Sequence, residues 1–244
     1  MDLRPSIPYA VPATILGIAL ILMACIASRS FYAVKSLSNT ISVTGSAQQV
    51  ITSDVAKWNV MLTRTVDIAA LQEGSNQIAD DLAALKAFLK KNGVEDTAIK
   101  IAPVNVNTLS GKNNDYSTPS SYQLMQTVEV TGKDVEKLTK IAQDSSSLLA
   151  QGTMVSTMSL EYFYSKLADL KVQMLAEATK NAQERARNIA ESAGANLGPI
   201  RSADMGVMQV TAENSIDVSD YGVFDTSSIR KQITAVVRAT FAVE

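Results

Sequence analysis

The sequence predicts an α+β fold: a mostly antiparallel sheet with long helices packed on it, preceded by one N-terminal transmembrane helix. Two patterns carry this prediction. Short β-branched runs come in pairs, separated by stretches whose apolar residues recur at i+3 and i+4, in the order ββ-α-ββ-α-β-α-ββ. Hairpins alternating with helices place the helices on one face of an antiparallel sheet. The second pattern is the absence of any charge between Arg4 and Arg29. The chain therefore divides into an anchor segment with its flanks, residues 1–35, and a body, residues 36–244.

The apolar core of the anchor is PATILGIALILMACIA, Pro12 to Ala27, with Ile15, Leu16, Ile18, Leu20, Ile21, Leu22 and Ile26 as residues of the membrane span. Proline suits the first turn of a helix, where its missing N–H is not needed. Sixteen residues span roughly 24 Å, short of a hydrocarbon core of about 30 Å. A helix from Tyr9 to Tyr32 spans about 36 Å and sets Tyr9, Phe31 and Tyr32 at the interfaces, where aromatic side chains settle. Three readings stay open: a retained signal anchor, a signal peptide cut after Ala27, and a lipoprotein modified at Cys25 in Leu22-Met23-Ala24-Cys25. Arg29 and Lys35 outnumber Arg4, which by charge alone favours a cytoplasmic body.

In the body, ISVTGSAQQVITSDVAKWNVMLTRTV reads as strands at about 41–48 and 54–66, with a bulge or break among Val55, Trp58, Val60 and Leu62. Asp67 then caps a helix whose stripe is Ile68, Leu71, Ser75, Ile78, Leu82, Leu85 and Leu89, stopped at Asn92-Gly93. Residues 99–109 and 122–132 form a hairpin around the polar loop 110–121, with Pro103 marking an edge or bulge. A helix follows over 133–150, then a strand over 153–164. The helix at 165–193 carries Leu167, Leu170, Met174, Ala178, Ala182, Ile189 and Ala193 on one side, large residues first and alanines after. Alanine lets a helix axis approach its neighbour closely at little entropic cost. Gly194 and Leu197-Gly198-Pro199 turn the chain into strands at about 199–211 and 229–243. The strand-helix-strand pass across 154–211 also permits a mixed sheet.

Composition restricts the chemistry. The chain has 244 residues, no histidine, one cysteine and a net charge of −2. These exclude histidine-based triads, histidine or cysteine zinc sites, intrachain disulfides and thiol catalysis in the body. No basic field invites nucleic acid. No G-x-S-x-G, P-loop or dinucleotide fingerprint occurs, so no catalytic residue, cofactor or metal site is expected. Glu213, Asp217, Asp220 and Asp225 cluster in AENSIDVSDYGVFD, but their spacing does not match a calcium loop. The same loop holds Ile216, Val218, Tyr221, Val223 and Phe224. Apolar residues on a loop either contact a subunit or partner or pack back on their own sheet.

The segment with A-x(3)-A-x(3)-A and A-x-x-A-G-x-x-L-G-x-I around Ala178, Ala182, Ala186, Ala190, Ala193, Gly194, Leu197, Gly198 and Ile200 resembles the signature of the SIMPL domain family. ISVTGSAQQVITSDVAKWNV from Ile41, QLMQTVEVTGKDVEKLTKI from Gln123 and QITAVVRATFAV from Gln232 resemble the family's opening, its strand entering a helix, and its last strand. The resemblance covers about 41–243. It departs at Ser53-Asp54, where the family often has proline, and in the hairpin NNDYSTPSSYQLMQ. It implies a body exported to the periplasm or cell envelope and held at the inner membrane, with no known reaction. It further implies large, ring-like homo-oligomers and an association with envelope or oxidative stress. The expected function is then a self-assembling scaffold or stress-protection factor; the alternative is an envelope binding module for a small ligand or a protein.

Overall fold

The computed structural model describes residues 7–36, 39–110 and 119–244. Helix α1 runs over Ile7–Ser36. Strands β1 (Thr40–Thr52) and β2 (Val55–Asp67) follow, then helix α2 (Leu71–Lys91). Next come β3 (Ile99–Ile101), β4 (Asn105–Ser110) and β5 (Pro119–Gly132). Helices α3 (Val135–Asp144) and α4 (Ser146–Ala150) lead to β6 (Val155–Phe163) and α5 (Leu167–Ser192). The chain ends with β7 (Leu197–Met205), β8 (Gln209–Ala212) and β9 (Arg230–Val243). The class is α+β as predicted, and the strand pairs β2–β5, β2–β6, β3–β5, β4–β5, β7–β9 and β8–β9 are antiparallel.

The chain forms two compact units, one of Met1–Ala47, Leu175–Gly206 and Ala235–Glu244, the other of Gln48–Met174 and Val207–Thr234. The second unit is built on a sheet of order β3-β5-β2-β6, with β4 also on β5. On β2 the side chains of Ala56, Trp58, Val60 and Leu62 are wholly buried, and on β5 Leu124, Val128 and Val130 lie beside them. Ile78, Leu85 and Leu89 of α2 and Leu138 and Ile141 of α3 close this core. The expected bulge exists, but in the partner strand. The register against β6 steps from Asn59↔Ser159 to Val60↔Thr157, leaving Met158 as the extra residue while β2 runs unbroken.

Other boundaries differ for local reasons. Asp67 makes no side-chain cap, and a 3-10 turn over Ile68–Ala70 precedes α2. A 3-10 turn advances about 120° per residue instead of about 100°, so it shifts the phase of the stripe. Ile68 and Leu71 are consequently exposed, and Gly74 and Asp81 join Ile78, Leu85 and Leu89 on the buried side. Gly93 ends the helix at φ +72°, as expected. The predicted strand at 99–109 is split around Pro103, and the predicted helix at 133–150 breaks at Ser145, whose Oγ donates to the Ala142 carbonyl at 2.6 Å. The strand predicted at 199–211 divides into β7 and β8. Most of the expected 110–121 loop lies outside the described residues, and Pro119 already belongs to β5.

The first unit contains α1 and the rest of α5, with a core of Val43, Ala182, Ala186, Ala239 and Phe241 and half-buried Ile41 and Leu197 around it. Strand order in its sheet is β1-β9-β7. On α5 the buried positions are Leu170, Met174, Ala178, Ala182, Ala186 and Ala190, whereas Ile189, expected in the stripe, is 52% exposed and Ala193 is exposed too. A repeat of four advances about 40° per step on a helix of 3.6 residues per turn, so the buried line winds round the helix. Within the first unit that line is alanine alone, and it meets Gly45 of β1. A Cβ on Gly45 would stand 2.2 Å from the Ala178 carbonyl oxygen and 2.3 Å from the Ala182 nitrogen. The thin apolar stripe is thus a contact between backbones.

Candidate functional site

The apolar residues singled out in the sequence lie between β8 and β9, on a segment fixed from both ends. At its start Asn214 takes φ 65°, and the Ser215 N–H donates to the Ala212 carbonyl at 3.0 Å. The Arg230 guanidinium holds Glu213 with both carboxylate oxygens, at 2.5 and 2.9 Å, and keeps that carboxyl below its ordinary range. At the centre Gln209 acts as a clamp. Its Nε2 donates to the Ser219 carbonyl at 2.7 Å, and its Oε1 accepts the Val223 N–H at 2.7 Å. Val210 and Phe224 form a parallel bridge, with Val210 N–H donating to Val223 O and Asp225 N–H to Val210 O, both at 2.8 Å.

At the far end Asp225 organises a turn. It accepts the Ser227 N–H at 2.9 Å, the Ser227 hydroxyl at 2.7 Å and the Ser228 N–H at 3.3 Å. Lys231 is only 2% exposed, and its Nζ donates to the Asp225 carbonyl oxygen at 2.6 Å. Burial alone raises the Asp225 pKa, but the hydrogen bonds from Ser227 and Ser228 and the Lys231 charge outweigh it, and the carboxyl sits far below its ordinary value. Burial lowers the Lys231 pKa, opposed by Asp225. The Thr226 carbonyl accepts the Tyr162 N–H at 2.7 Å, and the Ile229 carbonyl the Ser53 N–H at 2.8 Å.

On this frame Ile216 is 93%, Val218 82%, Tyr221 96% and Phe224 54% exposed, while Val223 is half-buried. Packing back on the sheet thus describes Val223 but not the other four. The acidic residues are not brought together: Glu213 faces Arg230, Asp217 accepts from Ser215, and Asp225 caps its own turn. Among the described residues no three His, Cys, Asp or Glu side chains form a metal-sized group. Sequence reasoning missed Gln209 and Lys231. Lys231 shares parity with Ile233, Ala235, Val237, Ala239 and Phe241, the buried face of β9, which was a readable sign that its ammonium is buried and needs a partner.

The residues expected in the membrane span, Ile15, Leu16, Ile18, Leu20, Ile21, Leu22 and Ile26, all lie on α1 and are all exposed. Pro12–Phe31 has a mean hydropathy of 1.9 and none of it is buried. Its 20 residues rise about 30 Å, the thickness of a hydrocarbon core. It is the one helix among the described residues long and apolar enough to cross a membrane, a property that a signal sequence shares.

A family model named SIMPL, described as a protein of unknown function (DUF541), matches residues 41–241. The chain belongs to the SIMPL family. The match begins in β1 and ends in β9, so it takes in the clamped loop and leaves α1 outside. No curated protein matches the chain.

Proposed function

We propose that this SIMPL protein is a membrane-anchored, self-assembling component of the cell envelope, with its body in the periplasm and a structural or stress-protection role in place of a catalysed reaction. The observation that carries this reading is the loop: four large apolar side chains face solvent from a backbone tied down at Glu213, Gln209 and Asp225. Exposed apolar groups on a fixed frame favour association, because little order remains to be imposed on binding. Helix α1 supports the anchor, and the export implied by the family resemblance outweighs the small charge bias of Arg29 and Lys35.

The test is the mass of the detergent-extracted protein by light scattering after size exclusion. A large, discrete particle is expected. Tyr221→Ser with Phe224→Ser should shrink it and leave the circular-dichroism spectrum unchanged. A monomeric wild type overturns the scaffold reading and favours the alternative, an envelope binding module. That alternative has one supporting feature, a groove of about 440 Å³ lined by Val94, Val130, Leu138 and Ile141 with Lys137 at its edge.

A further inference from the structure

On the five-stranded sheet, residues of β2 alternate between the helix-covered core and the opposite face, so Met61, Thr63 and Thr65 lie on the face away from that core. Register fills in their neighbours. Thr63 is paired with Met125 on β5, and its N–H donates to the Met154 carbonyl at 3.2 Å on the other side. Met61 is paired with Thr127 and with Ser156, so it stands diagonal to both of those methionines. Neighbouring strands are about 4.8 Å apart and two residues along a strand cover about 7 Å. The three methionine backbones thus form a triangle with its long side about 10 Å, around Thr63. A flexible thioether side chain reaches the middle of such a triangle from each corner.

Two further observations point to an ion there. The Thr63 hydroxyl is buried and has no hydrogen-bond partner, although it lies on the face away from the core. A buried hydroxyl without a partner is costly, and a water or ion is one explanation of it. The other neighbours on this face, Thr65, Asn105, Gln123, Thr127 and Ser156, are uncharged. Their neutral oxygens bring no carboxylate to balance a hard divalent cation, whereas thioethers select soft ones. Met61 and Met125 are half-buried and Met154 is 51% exposed, which leaves an entry from solvent.

We propose that Met61, Met125 and Met154 form a three-thioether site above Thr63 for a soft monovalent cation, copper(I) or silver(I). The site stands independently of the self-assembly reading, since it uses neither the loop nor the membrane helix. No proton is released on binding, because thioethers are not ionised.

Silver(I) is the probe, as it needs no reductant. The full chain carrying Cys25→Ser, which removes the only thiol, is titrated in chloride-free buffer and detergent while the methyl signals of labelled methionines are followed. Saturation at one ion per chain, with the Met61, Met125 and Met154 methyls moving and Met205 still, is expected. Each Met→Leu change should weaken silver binding at least tenfold, the triple change should abolish it, and Met205→Leu should leave it unaltered. Met154→Leu is the safest single variant, lying at the exposed end of the triangle. Binding unchanged in the triple variant, or no saturable binding in the starting protein, overturns the proposal.

Discussion

Gly45→Ala tests whether α5 and β1 are held at backbone contact. The new Cβ would fall 2.2 Å from the Ala178 oxygen, 2.3 Å from the Ala182 nitrogen and 2.7 Å from the Ala182 Cβ. Each is far inside the 3.4 Å of ordinary contact, and the two shortest involve backbone that no rotamer change can move. The helix must retreat by about an ångström. Two hydrogen bonds bracket the contact and would stretch with it: Ser46 N–H to Asn181 Oδ1 at 3.2 Å, and Arg185 to the Thr44 carbonyl at 3.0 Å. Overpacking costs about 1–3 kcal/mol, and two hydrogen bonds about 1 kcal/mol each, so roughly 4 kcal/mol is expected. For a chain of this size that is at least about 8 °C in Tm, read by thermal circular dichroism of the full-length protein in detergent. Adding Ala182→Gly removes only the 2.7 Å clash and should not rescue. A Gly45→Ala protein melting within 2 °C of wild type, or rescue by Ala182→Gly, would refute backbone contact as the limiting geometry.

Three other outcomes are expected. Asp81→Ala removes the carboxylate that Arg64 Nε and Nη2 bind at 2.7 Å each and leaves the guanidinium only its bond to the Gly152 carbonyl; with Asp81 buried and Arg64 partly exposed, the loss should be about 2–4 kcal/mol, seen as a lower urea midpoint. Replacing the pair together, Arg64→Met with Asp81→Leu, should cost less than Asp81→Ala alone. The second outcome concerns acid. Hydrogen bonds from Lys57 and then Lys100 hold Glu129 below its ordinary 4.5, and Asp225 sits below its ordinary 3.8 despite burial. With folded values below unfolded ones, the unfolded chain binds more protons in that range. The stabilisation is complete above about pH 4.5 and is lost as pH falls through 4 and below. Urea titrations at pH 7, 4 and 3 should show this, and Asp225→Asn should flatten the acid limb. Third, Gln209→Ala should reduce the particle mass at a given protein concentration while leaving every apolar loop residue in place. Equal assembly of Gln209→Ala and wild type would show that the clamp is irrelevant to association.

The amphipathic elements were legible because their burial follows a period. The extent of β2 and the end of α2 came out as read, and so did the class and the apolar N-terminal helix, while the bulge expected in β2 lies in β6. What failed was phase. The 3-10 turn before α2 moved Ile68 and Leu71 to solvent, and the four-residue repeat of α5 carried burial to Ala186 and Ala190 in place of Ile189. Both depend on where a turn tightens or which backbone approaches, and periodicity does not encode either. Gly45 illustrates the second case. As part of a β-branched run it reads as a weak strand position, and only the helix seated on it explains why a side chain is excluded. In the candidate site, the exposed residues were legible as apolar letters in a polar loop, whereas the groups that hold them in place were not. Gln209 lies on the preceding strand, and its two hydrogen bonds reach 10 and 14 residues along the chain.

Those supporting groups decide how the loop can act. Apolar side chains on a slack loop gain their burial energy only after the backbone has been ordered, at about 1–2 kcal/mol per residue. Here much of that order already exists. The Gln209 clamp fixes Ser219 and Val223 on either side of Tyr221, the Val210–Phe224 bridge fixes the next residue, and the Asp225 turn with Lys231 fixes the exit. Tyr221 is therefore presented from a turn closed at both ends by Gln209 and internally by the Gly222 N–H on the Ser219 carbonyl, and Phe224 from the Val210 bridge. Ile216 and Val218 instead lie on a span of equal length between Ser215 and Ser219, whose internal bond joins the Asp217 N–H to the Ser215 hydroxyl. Burying one such side chain contributes about 1.5–3 kcal/mol, so Tyr221 and Phe224 should dominate an interface and Ile216 and Val218 should add less, because part of their burial energy offsets ordering. This ranking follows from where the hydrogen bonds fall, and not from hydrophobicity, which would place Ile216 and Val218 at least level with Tyr221.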